Sequence, residues 1–314
     1  RDIVNYFRPY WKLSIFSIAA SSVYEILDLL VPYAIGQILN LLSEQPLDGF
    51  ITNAIVAIYN ITNYPVNQTL SFGVLLGLIF LVTVVRAPTQ PWLSGWFHWY
   101  IALKASRNQN QKSVEKILTL PLEFYDENNP GRIASRVSKG ISNHTWTYPE
   151  ITGQLFPKLL RVFGIFVFIC FVDWRIAVLF LTSFVVILSF TLKNLQKLVE
   201  QESRLDKYSE NTESRTSEII SNIKTVKAFA TEAKELKRQQ QRYKRQENVV
   251  IYRIHKGYVK LSTWQKSVIQ FCVFVVLGLT LSATIEGRIT LGHFVTTLTL
   301  SSMAYAELEP ISIL

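Results

Sequence analysis

The sequence predicts an all-α polytopic membrane protein. Its fold class is six long helices that cross a bilayer and continue well past one face of it. Three observations carry this. Of the 314 residues, 49% are hydrophobic and only 18% charged, against about a quarter charged in a soluble domain. The charge is segregated: residues 49–85, 176–192, 267–285 and 289–306 hold no Asp, Glu, Lys or Arg. The last three runs are 17, 19 and 18 residues long, close to the ~20 apolar residues that a hydrocarbon core of about 30 Å requires. Third, Lys and Arg alternate with near-absence. Segment 1–12 holds three, 41–69 none, 100–161 nine, 171–175 one, 193–260 sixteen and 283–292 one. Cytoplasmic loops collect basic residues, so this pattern predicts a cytoplasmic N-terminus, six spans and two large cytoplasmic loops. The net charge of +9 is then a topology signal, and a nucleic-acid partner is not expected.

The elements follow in order. A first span covers about 11–42. A long polar outer connection, 43–69, leads to a second span starting near 70. The third span ends near 172, and the tight turn Phe171–Arg175 starts the fourth near 174. The fifth ends near 285, and a second tight turn starts the sixth near 289. Each inner hairpin holds more than a hundred residues (70–172 and 174–285). Half of one, as helix, spans about 75 Å at 1.5 Å per residue, so roughly 40 Å projects beyond the bilayer. Between 192 and 256 there is no Gly or Pro. Leu195, Leu198, Leu205, Tyr208, Ile219, Ile223, Val226 and Phe229 recur at helical spacings. In the other hairpin, Asn128-Asn129-Pro130-Gly131 is the strongest turn signal. The stretch FYDENNPGRIASRV, 124–137, is therefore expected at a hairpin tip.

Cys170 and Cys272 both fall in apolar runs and set no disulfide framework or metal spacing. Residues 1–12 lack a signal-peptide cleavage site. No GxxxxGK[ST] phosphate loop occurs, and four scattered histidines form no metal cluster or Ser-His-Asp arrangement. The chain itself is not expected to hydrolyse ATP. Asn60-Ile-Thr and Asn67-Gln-Thr are glycosylation sequons in the outer connection. Asn143-His-Thr, on the inner side, is read as chance.

Three motifs together resemble the transmembrane domain of type IV ABC transporters, the ABC exporter family, over nearly the whole chain. The first is Phe124, Tyr125, Asp126, Gly131, Arg132, Ser135, Arg136 and Val137. The second is SEIISNIKTVKAFATEAKE, 217–235, with Glu218, Ile223, Lys224, Thr225, Val226, Lys227, Ala228, Phe229 and Glu232. The third is Pro32 with Gly36. The resemblance implies a short coupling helix at each tip, about 126–137 and 219–229, touching nucleotide-binding domains. It implies a domain-swapped dimer of half-transporters, homodimeric or heterodimeric. Within it, ATP-driven closure would switch a cavity by alternating access and export or flip an amphipathic lipid, drug or peptide. It further implies a multi-pass protein of the plasma (inner) membrane, with ATP and Mg as cofactors of the full-length protein. The nucleotide-binding domain is expected after residue 314, the sixth helix being cut short there, or as a separate subunit. One departure is Gly140, where the family often places an acid four residues after the arginine.

Other residues are candidates for a substrate path. Glu25 and Asp28 lie some 20 Å along the first span beyond Lys12. Acids at that depth bind a cation or proton, or pair structurally. Arg86, beside Pro88 and Pro91, holds an anionic headgroup, snorkels or pairs. Trp92, Trp96, Trp99 and Tyr100 form a cavity stripe or an interfacial belt. Glu307 and Glu309 precede Pro310 in the sixth span. The competing readings are a secondary transporter with helical cytoplasmic insertions and a non-transport membrane regulator.

Overall fold

The computed structural model describes residues 7–62, 67–127 and 130–309. The side chains of residues 61, 62, 126, 127, 130–132, 134 and 135 also fall outside the description. The described residues are mostly helical, without a strand. A bilayer offers no hydrogen-bonding solvent, and a helix satisfies its backbone internally.

The helices are α1 (Trp11–Leu27), α2 (Leu30–Leu42), α3 (Gly49–Thr62), α4 (Gln68–Phe80), α5 (Arg86–Gln90), α6 (Trp96–Leu118), α7 (Leu122–Glu127), α8 (Pro130–Glu150), α9 (Phe156–Val172), α10 (Trp174–Ser221), α11 (Ile223–Ala228), α12 (Glu232–Val249), α13 (Lys256–Ile285) and α14 (Leu291–Ala306). Five helical segments are long and apolar enough to cross a membrane: Arg8–Leu42, Gln68–Leu118, Arg136–Val172, Trp174–Ser221 and Glu232–Ile285. The sixth expected span is represented by α14, of 16 residues. Large apolar side chains such as Phe80, Phe163, Phe271 and Phe274 are more than half exposed, as lipid-facing residues must be.

Three features differ from the sequence expectation. The outer connection is not simply a polar loop, because Gly49–Thr62 folds as α3. Its Ile51 and Ile55 are buried with Tyr33, Ala34 and Leu75, which gives an uncharged, amphipathic segment a partner. The first span is broken at Asp28–Leu29. Pro32 has no N–H to return to the Asp28 carbonyl, and Val31 N–H takes that oxygen at 3.4 Å instead. The second span carries two π-helical turns, Leu81–Val85 and Pro91–Gly95, on either side of Pro88 and beginning at Pro91. Each proline removes a donor and crowds the preceding turn. The helix widens so that Arg86 N–H reaches Leu81 O, five residues back. Such turns are rare and concentrate at functional sites.

The chain divides into two compact units. The first contains residues up to Ala177 together with Leu279–Ala304. Here α2 meets α14 at two glycines. A Cβ on Gly36 would lie 2.6 Å from Gly292 O, and one on Gly292 would lie 2.5 Å from Asn40 Oδ1. Small residues permit such backbone approach where lipid supplies no hydrophobic drive.

The second unit, Val178–Gly278 with Tyr305 onward, is an antiparallel helical hairpin. Its helices are zipped by Thr216–Tyr243 (3.2 Å), Gln246–Ser209 (3.1 Å) and Tyr258–Glu202 (3.1 Å). The Phe190 and Trp264 rings, tilted against each other with centroids 3.7 Å apart, continue the seam.

Gly292→Ala is expected to cost about 1–3 kcal/mol by overpacking. It should lower the thermal unfolding midpoint of the detergent-solubilised protein. Gly278→Ala, at an open position inside α13, should not lower the midpoint and should raise it slightly.

Candidate functional site

Two regions gather the sequence-predicted residues. The first lies within the membrane-spanning part of the first unit. Glu25 is on α1, Asp28 at its C-terminal break, Arg86 at the start of α5 and Arg161 on α9. Asp28 and Arg86 form a two-pronged ion pair: Arg86 Nη1 bonds Oδ1, and Nη2 lies 3.0 Å from Oδ2. Arg86 Nη2 also donates to Gln90 Oε1 at 3.2 Å, and its guanidinium stands 5.4 Å from the Tyr24 ring. Arg161 Nη1 donates to Glu25 Oε2 at 3.0 Å. The side chains of Arg86, Arg161 and Glu25 are 10%, 14% and 16% exposed, so these charges are largely shielded. Two acids and two guanidiniums thus tie three helical segments together with no net charge. Tyr24 OH adds a bond to Thr89 Oγ1 at 3.0 Å.

Arg161 was counted as the last basic residue of an inner loop. The structure puts it on α9, eleven residues before Val172. That count places it about 16 Å inside the span and was the available signal. Trp96 is not part of the quartet. It is 58% exposed beside Trp92, with ring centroids 6.1 Å apart, and Trp99 meets Trp146 edge-on at 5.0 Å. In the second unit, Glu309 pairs with Lys266 at 3.4 Å. Glu307 lies in the turn after α14, and Pro310 lies outside the described residues.

Sequence reasoning missed a buried hub next to the quartet. His98, 2% exposed, contacts Ser21 (2.9 Å), Thr152 (3.0 Å) and Ser17 (3.4 Å) through its ring nitrogens. Ser21 also bonds Ser94, inside the Pro91–Gly95 π-turn. Thr152 sits in another π-turn, Ile151–Leu155. The hub joins both irregular turns to α1.

The remaining predicted residues lie at the two hairpin tips, one in each unit. A coupling helix was expected at about 126–137. The structure instead forms the short helix upstream, α7 (Leu122–Glu127), while Pro130 opens the long α8. Proline suits the first position of a helix. Phe124 and Tyr125 lie edge to face, 5.6 Å apart, and Tyr125 OH donates to Ile117 O. Arg136 is exposed on α8. The expectations for Asp126, Gly131, Arg132 and Ser135 concern side chains outside the described residues, as do Asn128 and Asn129.

The other tip is α11, six residues within the expected 219–229. Asn222 separates it from α10, and Ala230 adopts the left-handed conformation (φ 48°) that turns the chain toward α12. Lys227 pairs with Glu232 at 3.1 Å, so the turn holds its own charge balance. Lys224, Thr225 and Val226 lie on α11, and Phe229 is 75% exposed beside it. Ile219, Val226, Phe229, Arg215, Arg238 and Arg242 help line a groove of about 560 Å³. Exposed apolar residues at a tip remote from the apolar spans are suited to docking another protein domain.

Long lipid-facing helices, charges paired at bilayer depth and short helices at the hairpin ends define a class: a polytopic membrane domain whose helices extend beyond the bilayer. The family is more specific. A model of the ABC transporter transmembrane region matches residues 14–307, and the chain belongs to that family. It is similar to the ABC multidrug transporter MDR2 of Trichophyton rubrum, 25% identical over 52% of this chain and 12% of that protein. It also resembles the ABC transporter ATP-binding protein YwjA of Bacillus subtilis, 21% identical over 74% of this chain and 40% of that protein. A third relative is the ATP-dependent lipid A-core flippase of Albidiferax ferrireducens, 25% identical over 46% of this chain and 25% of that protein. The chain spans well under two thirds of these relatives. Among the described residues no group of His, Cys, Asp and Glu is placed to hold a metal.

Asp28→Asn leaves the Arg86 guanidinium without its carboxylate. Removing one partner of a fully buried pair costs about 3–5 kcal/mol, and partial exposure of Asp28 reduces that toward about 1–2 kcal/mol. Thermal unfolding of the protein in lipid nanodiscs should show the loss, and the swap Asp28→Arg with Arg86→Asp should recover part of it.

Proposed function

We propose that this chain is the membrane-spanning part of an ATP-driven exporter that moves an amphipathic substrate, lipid, drug or peptide, by alternating access. The observation that carries the reading is the pair of short helices, α7 and α11, each with an aromatic residue on or beside it, at the ends of hairpins in a chain of this family. They would seat in nucleotide-binding domains, supplied in the same protein or as a separate subunit. A second half-transporter would complete the assembly. ATP and Mg would bind on the nucleotide-binding domains and not on this chain. The N-terminus and the tips would face the cytoplasm of a cell whose plasma (inner) membrane holds the protein, with the Asp48 end outside.

The quartet Glu25–Arg161 and Asp28–Arg86 would hold the first three spans as one body while the cavity changes access. Each acid already faces a guanidinium, so the four residues support a substrate path best as a neutral polar wall. Multidrug and lipid A-core substrates belong to the named relatives. Both are amphipathic, which is the class proposed here.

The test uses full-length protein in nanodiscs. Tyr125→Ala and Phe229→Ala should each leave substrate binding intact while substrate-stimulated ATP hydrolysis falls severalfold. Basal hydrolysis that is absent in the wild type under every amphipathic substrate tried would overturn the proposal.

A further inference from the structure

Four of the chain's seven tryptophans are Trp92, Trp96, Trp99 and Trp146, and their rings form one run. Trp92, in the Pro91–Gly95 π-turn, meets Trp96 with centroids 6.1 Å apart and planes at 37°. Trp96 and Trp99 are one turn apart on α6 and share a face. Trp99 meets Trp146, from α8, edge-on at 5.0 Å. The two helices pack through the other side, where His98, Ile101, Ala102, Ala105 and Tyr148 are buried. The tryptophans lie outside that core, and Trp92 and Trp146 are 69% and 61% exposed.

One carboxylate accompanies the rings. Glu150 is exposed and follows Trp146 by one turn of α8, which makes the two side chains neighbours. It is the only Asp, Glu, Lys or Arg between 140 and 157, and 87–103 holds none. Among the described residues Glu150 forms no ion pair.

The depth of the face is the same from both helices. Trp92 comes 24 residues after Gln68, and Trp146 comes 26 residues before Val172. At 1.5 Å per residue these are about 36 and 39 Å from the far ends of their spans. A hydrocarbon core of about 30 Å with its headgroups beyond puts the rings at the headgroup layer on the side of the hairpin tips.

We propose that this face binds the cationic head of an amphipathic molecule, a quaternary ammonium or a protonated amine, whose apolar part lies in the adjoining leaflet. It is the point at which such a molecule is collected, and that role, unlike the binding, rests on the export reading.

Tryptophans that only anchor a protein form belts at the membrane surface. Here α1, α10 and α13 carry one each (Trp11, Trp174 and Trp264), while four crowd onto two packed helices. A cation over an indole face is attracted by the ring quadrupole, and more so when partly desolvated. The chain makes a contact of this kind nearby, with Lys104 Nζ 4.4 Å from the Tyr100 ring centre. At the tryptophan face no side-chain cation takes that place, and Glu150 supplies the counter-charge. A zwitterionic phospholipid fits less well. Its phosphate would stand beside Glu150, and neither stretch offers a lysine or arginine to receive it. Lys104 is engaged by Tyr100, and Lys139 is seven residues from Trp146, about 10 Å toward the tip.

The probe is tetraphenylphosphonium, with tetraphenylborate as the anion of matched size and shape. Equilibrium dialysis without ATP measures binding to the full-length protein in nanodiscs of phosphatidylethanolamine and phosphatidylglycerol, less the uptake of empty nanodiscs. Wild type should bind the phosphonium and not the borate. Trp96→Ala and Glu150→Gln should each weaken binding by about three- to tenfold, the range of a partly exposed cation–ring contact. Trp96→Phe keeps a ring and should recover most of the loss. Trp11→Ala, off the face, should bind as wild type does. Equal binding of phosphonium and borate, or wild-type affinity in both Trp96→Ala and Glu150→Gln, overturns the site; a face covered by a second copy of the chain would give the second result. Phosphatidylcholine nanodiscs should leave the affinity unchanged. A loss of about tenfold there would mean that choline headgroups fill the face, and would overturn its assignment to an amphipathic cation. If binding follows the expected pattern but the phosphonium leaves ATP hydrolysis unchanged, the site stands and its part in export falls. Hydrolysis that the phosphonium stimulates equally in wild type and both variants removes the site and leaves the export reading.

Discussion

A guanidinium at bilayer depth has no water to neutralise it, and the first unit is arranged around that fact. Arg86 and Arg161 stand on separate helices, and each faces an acid from the first span. The cost of holding any one of these charges alone in hydrocarbon makes the pairings mutually enforcing. The break after α1 and the π-turn before α5 make sense against this requirement. The first carries Asp28, and the second ends where Arg86 begins. Irregular backbone here is coupled to where the ions sit. The His98 hub extends the same logic without charge, joining the next two π-turns to α1 through hydroxyls.

The second unit answers a different constraint. Its helices run far beyond any apolar stretch, so most of their length has no lipid to rest in. An isolated polar helix of that kind is marginal, and the antiparallel seam from Phe190–Trp264 to Thr216–Tyr243 provides the tertiary support. At the far end the chain reverses through α11, where Ala230 takes a left-handed φ and Lys227 closes on Glu232. The apolar residues left exposed around that reversal are the ones a partner domain would cover.

Much of this was legible in the sequence because the bilayer imposes a coarse rule on charge. The ends near 172, 174 and 285, and the long hairpins, follow from where Lys, Arg, Asp and Glu are missing. The short helix within 219–229 was placed by motif resemblance. What escaped depended on side chains meeting across the fold. Arg161 carries no local mark distinguishing it from a loop cation until the end of its helix is fixed. His98 and His293 are each isolated in sequence, and the partners that define their sites, Thr152 and Asp48, lie 54 and 245 residues away. At the first tip the short helix α7 lies upstream of the expected 126–137 because Pro130 serves as a helix start, and Asn128-Asn129 of the expected turn lie outside the described residues. α3 was missed because a segment without charge between two spans looks like a connection until its buried face is known.

The length of α10 has a mechanical consequence. Forty-eight residues in one uninterrupted helix make a rod of about 72 Å. Pivoting it by 5° about its membrane-embedded end sweeps the other end through roughly 6 Å. A displacement no larger than a side chain at the tip therefore corresponds to a rotation of only a few degrees within the lipid. The gearing runs both ways. In the proposed transport cycle a bulky molecule wedged between spans would be felt at the tips as an amplified movement, and the rod would act as a gauge of occupancy as well as a drive shaft.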